Sequence, residues 1–264
     1  MTTSLLNSLL RALLRWGAAL VFCLPLRHRS HFWVRACGML FPLLLLAQLL
    51  DPLAQSTTLW QQQLLLLVLY VSFFALLGGM IYLCTDINKK GAMYCAVWSL
   101  LIAQCAYEGW CFLELYFSRH GHPLNMTSPW AVLVQLLSGA VFFGVVYALP
   151  ARQLPYKGEY HIGPRQLFSS FFIGSLFMVQ AAVLSDTSID SWPPSLVATL
   201  VTGQLYFLTL LYFQTELFKK SAMEKEMNAL NLLYERQRQQ YQVARQNVQI
   251  INKRCHELKV QIAD

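Results

Sequence analysis

Charge is sparse in this chain before Lys219 and concentrated after it. Of its 20 Lys and Arg and 13 Asp and Glu residues, 14 fall within 219–264. The chain is 56% hydrophobic and only 12% charged, where a soluble domain carries about 25% charge. Long apolar runs with so few charges cannot all be covered by one soluble core, and they read as membrane spans. Six runs are long enough: 33–50, 64–84, 92–117, 130–150, 166–185 and 195–218. The first is the shortest, and Arg35 at its start can snorkel toward the interface. Pro42, Gly78, Gly79, Gly139, Gly144, Gly174 and Gly203 are tolerable inside spans. The expected fold class is all-α: a polytopic membrane helix bundle of six spans, with seven as the alternative, followed by a long cytoplasmic helix.

Lys and Arg set the orientation. One group of loops holds Arg27, Arg29, Lys89, Lys90, Arg152, Lys157, Arg165, Lys219 and Lys220. The opposite loops, DPLAQSTTLWQQQ, SRHGHPLNMTSPW and SDTSIDSWPP, hold only Arg119. The positive-inside rule puts the first group, and with it the C-terminal region, in the cytoplasm. The net charge of +7 therefore reports cytoplasmic loops rather than nucleic-acid binding. Three segments result: 1–26, 27–218 as the membrane domain, and 219–264. In the first, Ser4, Asn7, Ser8, Arg11 and Arg15 recur at helical spacing opposite leucines. That pattern favours an amphipathic helix on the inner leaflet. The rival is an extra span, which would leave Arg11 and Arg15 on the wrong side. A cleaved signal peptide fits less well, because RHR follows the apolar run.

From Met223 the pattern changes. Met223, Met227, Leu230, Tyr234, Gln237, Tyr241, Ala244, Val248, Ile251, Cys255, Leu258 and Ile262 are separated by alternating steps of four and three. This is an unbroken heptad seam, soft at Gln237 and Ala244. From Lys219 onward a helix would reach roughly 69 Å at 1.5 Å per residue. Copies entering from the same membrane face imply a parallel homodimer.

His256 falls one position round from the seam, on an exposed shoulder. Glu257 follows it, and a carboxylate that holds one imidazole nitrogen as N–H leaves the other nitrogen a free nucleophile. Arg254 and Lys259 bring positive charge for an incoming phosphoryl group. Residue chemistry alone thus marks His256 as a plausible phosphoacceptor.

These same residues carry a resemblance. RQQYQVARQNVQIINKRCHELKVQI is similar to the signature of bacterial peptide-sensing membrane histidine kinases, the accessory-gene-regulator-C-like and VirS-like receptors. Their phosphoacceptor segment reads I-N-x-K-C-H-D-L-K-H-Q-I. Ile251, Asn252, Cys255, His256, Leu258, Lys259, Gln261 and Ile262 match it. The resemblance implies His256 as the phosphorylated histidine and Glu257 as its acid/base neighbour, with Glu for the commoner Asp. Arg254 replaces Lys, and Val260 replaces a second His. The specific match covers about the last forty residues; the span-rich remainder is similar in architecture only. The family implies a two-component, quorum-sensing-type system: a homodimer in the bacterial cell membrane that detects an extracellular signal, expected to be a peptide. It implies transfer of the phosphoryl group to a response-regulator aspartate. It also implies ATP and Mg2+, bound through a gyrase–Hsp90–kinase–MutL type domain expected to lie outside this chain. No P-loop or kinase Gly-rich loop occurs, so no cofactor-binding residues are assigned and the chain reads as a truncation or fragment.

Within the third run, Gln104 lies one turn before Glu108, and Glu114 lies nearer the outer end. Ionisable groups at membrane depth are costly and often functional. Gln104 and Glu108 are therefore candidates for a signal or gating contact; the bland alternative is a hydrogen bond to a neighbouring helix. His120 and His122 have no third metal ligand in view, and no metal site is assigned. Asn125-Met126-Thr127 is a glycosylation sequon by pattern only. Trp60, Trp110, Trp130 and Trp192 suit an outer aromatic belt. The seven cysteines lack metal or disulfide spacing and read as reduced, apolar fillers. Two other functions compete: a non-catalytic receptor or scaffold whose coil recruits a partner, and a transporter, for which only Gln104–Glu108 offers polar lining.

Overall fold

The computed structural model describes residues 2–54, 59–120, 129–151, 164–184 and 193–263. Regular structure among them is helical, with no strand; the only β pairing is an isolated bridge between His28 and Thr85. In order the elements are α1 (Thr2–Cys23), α2 (Phe32–Gly38), α3 (Leu40–Ala54), α4 (Leu59–Cys84), α5 (Lys89–Arg119), α6 (Pro129–Val146), a π turn at Tyr147–Ala151, α7 (Pro164–Leu184) and α8 (Pro194–Ala263). His122, the Asn125 sequon, Arg152, Lys157 and Trp192 lie outside the described residues, as do the side chains of Trp60 and Arg165. Two compact units divide the chain, Met1–Phe213 and Gln214–Asp264.

Two described helices, Leu67–Cys84 and Lys89–Arg119, are long and apolar enough to cross a membrane by length and composition. Other apolar stretches are shorter: Phe32–Gln48, Trp130–Val146 and Leu167–Phe177. The expected count of six or seven spans is therefore not carried by the helices themselves. The first run shows why an apolar run need not be one helix. It breaks between Gly38 and Leu40. Pro42 has no N–H for the Gly38 carbonyl, and its ring crowds that carbonyl. Arg35 does turn to the end of a helix: its Nη1 donates to the Leu83 carbonyl of α4 at 2.8 Å, one of the acceptors left open at a helix C-terminus. Pro150 likewise falls in the widened π turn, where a missing N–H is accommodated.

In the first unit α1 and α5 are the central pair, and α1 also packs on α3 and α4. Small residues let the backbones approach. Ala12, Ala18 and Ala19 are fully buried. A Cβ at Gly17 would lie 3.0 Å from the Phe143 ring, and one at Gly139 would lie 3.1 Å from Leu14. Close approach through small residues is the packing mode of helices in lipid. The described members of the α1 polar stripe, Ser8, Arg11 and Arg15, do not face outward as an interfacial helix would place them. Ser8 and Arg15 are buried, and Arg11 donates from Nη2 to the Tyr107 hydroxyl of α5 at 2.8 Å. Large apolar side chains instead cover the outside, among them Phe41, Leu67, Val141 and Phe168.

The connections at one end of this unit are pinned by backbone bonds. Arg29 N–H donates to the Cys84 carbonyl at 3.0 Å, and Asp86 N–H donates to the Arg27 carbonyl at 2.9 Å. An Arg29–Asp86 ion pair at 3.5 Å joins the same two segments. Asn88 then caps α5, its Oδ1 accepting from Gly91 N–H at 2.7 Å. A Cβ at Gly91 would meet Ile87 at 2.7 Å. Asn88→Ala is expected to cost about 1 kcal/mol, and Gly91→Val about 1–3 kcal/mol through overpacking. Thermal unfolding of the detergent-solubilised chain checks both: Gly91→Val should lower the midpoint more than Asn88→Ala, and the reverse order would refute this account of the cap.

Candidate phosphoacceptor and gating residues

The second unit consists of the C-terminal part of α8. Between Gln214 and Ala263 there is no Gly or Pro, so nothing local interrupts the helix. The seam residues Met223, Met227, Leu230, Tyr234, Tyr241, Val248, Ile251 and Leu258 are all exposed large apolar side chains in the single chain. Cys255 and His256 are exposed as well. An α-helix turns 100° per residue, so only positions three or four apart share a face. Among the described side chains, His256 therefore shares its side with Asn252 and Lys253. Arg254, two positions away, points round the helix from it. Glu257 is adjacent in sequence; its side chain and that of Lys259 lie outside the described residues. Lys253 is a same-face cation that attention to the motif passed over, although its spacing of three was readable.

The pair singled out in the third run does come together. Gln104 Nε2 donates to Glu108 Oε1 at 3.1 Å. Gln204, on the α8 segment of the first unit, donates from Nε2 to the other carboxylate oxygen, Oε2. Both oxygens of Glu108 are thus engaged by amides, one from its own helix and one 96 residues away. The sequence marks Gln204 only as a single amide within the apolar run TLVTGQLYFL. Glu114 is half-buried on the same helix. Exposed His120 is bonded locally, its Nδ1 lying 2.8 Å from the Tyr116 carbonyl.

Among the described residues no group of three or more His, Cys, Asp or Glu side chains could hold a metal ion. The polar groups around His256 all lie on one exposed helix, which offers no cradle for a nucleotide. The described residues around His256 do not by themselves fit ATP or Mg2+. All seven cysteines are free; Cys23, Cys84, Cys95, Cys105 and Cys111 are buried, and Cys37 and Cys255 exposed. Comparison with protein-family models, curated proteins and solved structures yields no match.

Proposed function

We propose that this chain is the membrane sensor and phosphoacceptor portion of a two-component histidine kinase, with His256 as the acceptor. The observation that carries the reading is the apolar seam of α8, exposed in the single chain, beside an exposed His256 within a segment that resembles a phosphoacceptor signature. A parallel homodimer would cover the seam and leave His256 on the shoulder of the pair. Apolar helices with large side chains outside and polar groups inside suit a lipid-embedded sensor domain in the bacterial cell membrane, with the C-terminal helix cytoplasmic. An extracellular peptide is the expected signal. The Gln104–Glu108–Gln204 contact between α5 and α8 is the candidate gate, because a ligand that breaks it would free α8 to shift. The imidazole lone pair attacks the γ-phosphorus of ATP as the bond from that phosphorus to ADP breaks and ADP leaves, giving a phosphohistidine; a carboxylate oxygen of the response regulator then attacks the phosphorus, the P–N bond breaks and its electron pair returns to the imidazole. The phosphoryl donor is held by a separate domain.

The test is to join the chain in cis to an ATP-binding domain of the resembled family and supply labelled ATP. Acid-labile, base-stable label is expected on the chain, and His256→Gln should remove it. Label that survives His256→Gln would overturn the assignment.

A further inference from the structure

The inward polar stripe of α1 creates a site that neither the coil nor the Glu108 contact uses. Arg15 is 8% exposed. Its guanidinium lies over the Phe73 ring at 3.9 Å from the centroid. Its Nη1 is buried and has no hydrogen-bond partner. One turn earlier, Arg11 donates to the Tyr107 hydroxyl and stacks over the Tyr107 ring at 4.8 Å. Tyr70 is within electrostatic reach of both guanidinium groups and of Glu108. The printed partners of Glu108 are Gln104 and Gln204, both neutral amides.

A second unpartnered group borders the same stretch. Gln135 of α6 is 2% exposed, and neither its Oε1 nor its Nε2 has a partner. Gly139 of α6 lies against Leu14, and Phe143 lies against Gly17. The two helices therefore run in the same direction, and Gln135, one turn before Gly139, falls level with Leu10 and Arg11. Burying a guanidinium and a primary amide with open donors is costly unless something accepts from them. A cationic floor with aromatic walls is built to accept a negative oxygen on an apolar body.

We infer that Arg15, together with Arg11, Tyr70, Tyr107 and Gln135, binds the single oxyanion head of an amphiphile, an acyl carboxylate or a lipid phosphate. Arg15 Nη1 and Gln135 Nε2 donate to the oxyanion, and Phe73 packs on its apolar body. The inference does not rest on the phosphoacceptor reading, because its test involves neither ATP nor His256.

The full chain in neutral maltoside detergent is titrated with decanoate and, separately, with decanol, and tryptophan fluorescence is followed. In parallel, its thermal midpoint is compared in nanodiscs of phosphatidylglycerol and of phosphatidylcholine. For a free carboxylate ligand, decanoate should give a saturable change and decanol one weaker by about tenfold or more, the scale of one charge-assisted hydrogen bond. For a lipid source, the midpoint should be higher in phosphatidylglycerol. Arg15→Gln should abolish whichever preference is found, and Arg15→Lys should restore part of it, since it keeps charge but loses the planar fork. Gln135→Leu, which removes no charge, should weaken binding several-fold and guards against misfolding of the Arg15 variants; circular dichroism verifies helix content. Equal responses to decanoate and decanol together with equal midpoints in the two lipids would overturn the site. So would an oxyanion preference that persists in Arg15→Gln.

Discussion

Under the proposed parallel pairing, replacing Val248 and Ile251 together with Asp is expected to turn a dimer into a monomer. Both residues belong to the heptad seam and are more than half exposed in the single chain, so pairing is what would bury them. Each substitution removes an apolar contact and puts a carboxylate where the partner helix must pack. A combined loss of about 4 kcal/mol corresponds to about a thousandfold in dissociation constant. Sedimentation of the full chain in neutral detergent reads this directly. Gln249→Asp, one position off the seam, is the control and should leave the dimer intact. The parallel-coil reading fails if the double variant sediments as the unaltered chain does. Circular dichroism separates loss of pairing from loss of helix.

The largest single-site stability loss is expected for Trp110→Ala. Trp110 is 1% exposed and packs with Cys111 and Ala131, against which Tyr107 and Val134 also lie. Its indole Nε1 has no hydrogen-bond partner, so the loss is one of packing rather than of a polar contact. Truncation of a core Trp costs about 3–5 kcal/mol in soluble proteins. If the bundle is embedded in lipid as proposed, where the hydrophobic contribution is small, about 3 kcal/mol is the expected figure. The same change loosens Tyr107 and so the Arg11 hydrogen bond on its hydroxyl. Exposed Phe168→Ala, by contrast, should change stability by about 0.5 kcal/mol or less. Thermal unfolding of both variants in one detergent checks the ranking, and similar losses in the two would show that the cluster around Trp110 does not anchor the unit.

Trp110 departs from the outer belt that its sequence position suggests. Its place near the end of an apolar run predicts an outer aromatic belt. The structure buries it between α5 and α6, whereas Trp130 is exposed. Distance from a run's end carries no information about which way a side chain points; packing partners decide that. Pro42 is tolerable inside a span by composition, yet the chain breaks into two helices just before it, where Pro42 has no N–H to offer the Gly38 carbonyl. Glu108 was legible as an unusual group at depth. Its partner Gln204 was not, since nothing local relates two residues 96 positions apart.

The amino-acid order by itself determined the helical class, the apolar runs and the continuous heptad seam. It also determined that His256 sits one position off that seam. Each is a short-range periodicity of 3.5 or 3.6 residues, written along the chain wherever no Gly or Pro interrupts it. Tertiary structure alone decided which side of each helix is inside. The stripe of Arg11 and Arg15 has the spacing of a surface helix, and the same spacing serves equally to face a neighbour. Only the packing of α1 on α5 turned it inward, because an apolar exterior leaves the interior as the place where polar side chains meet their partners.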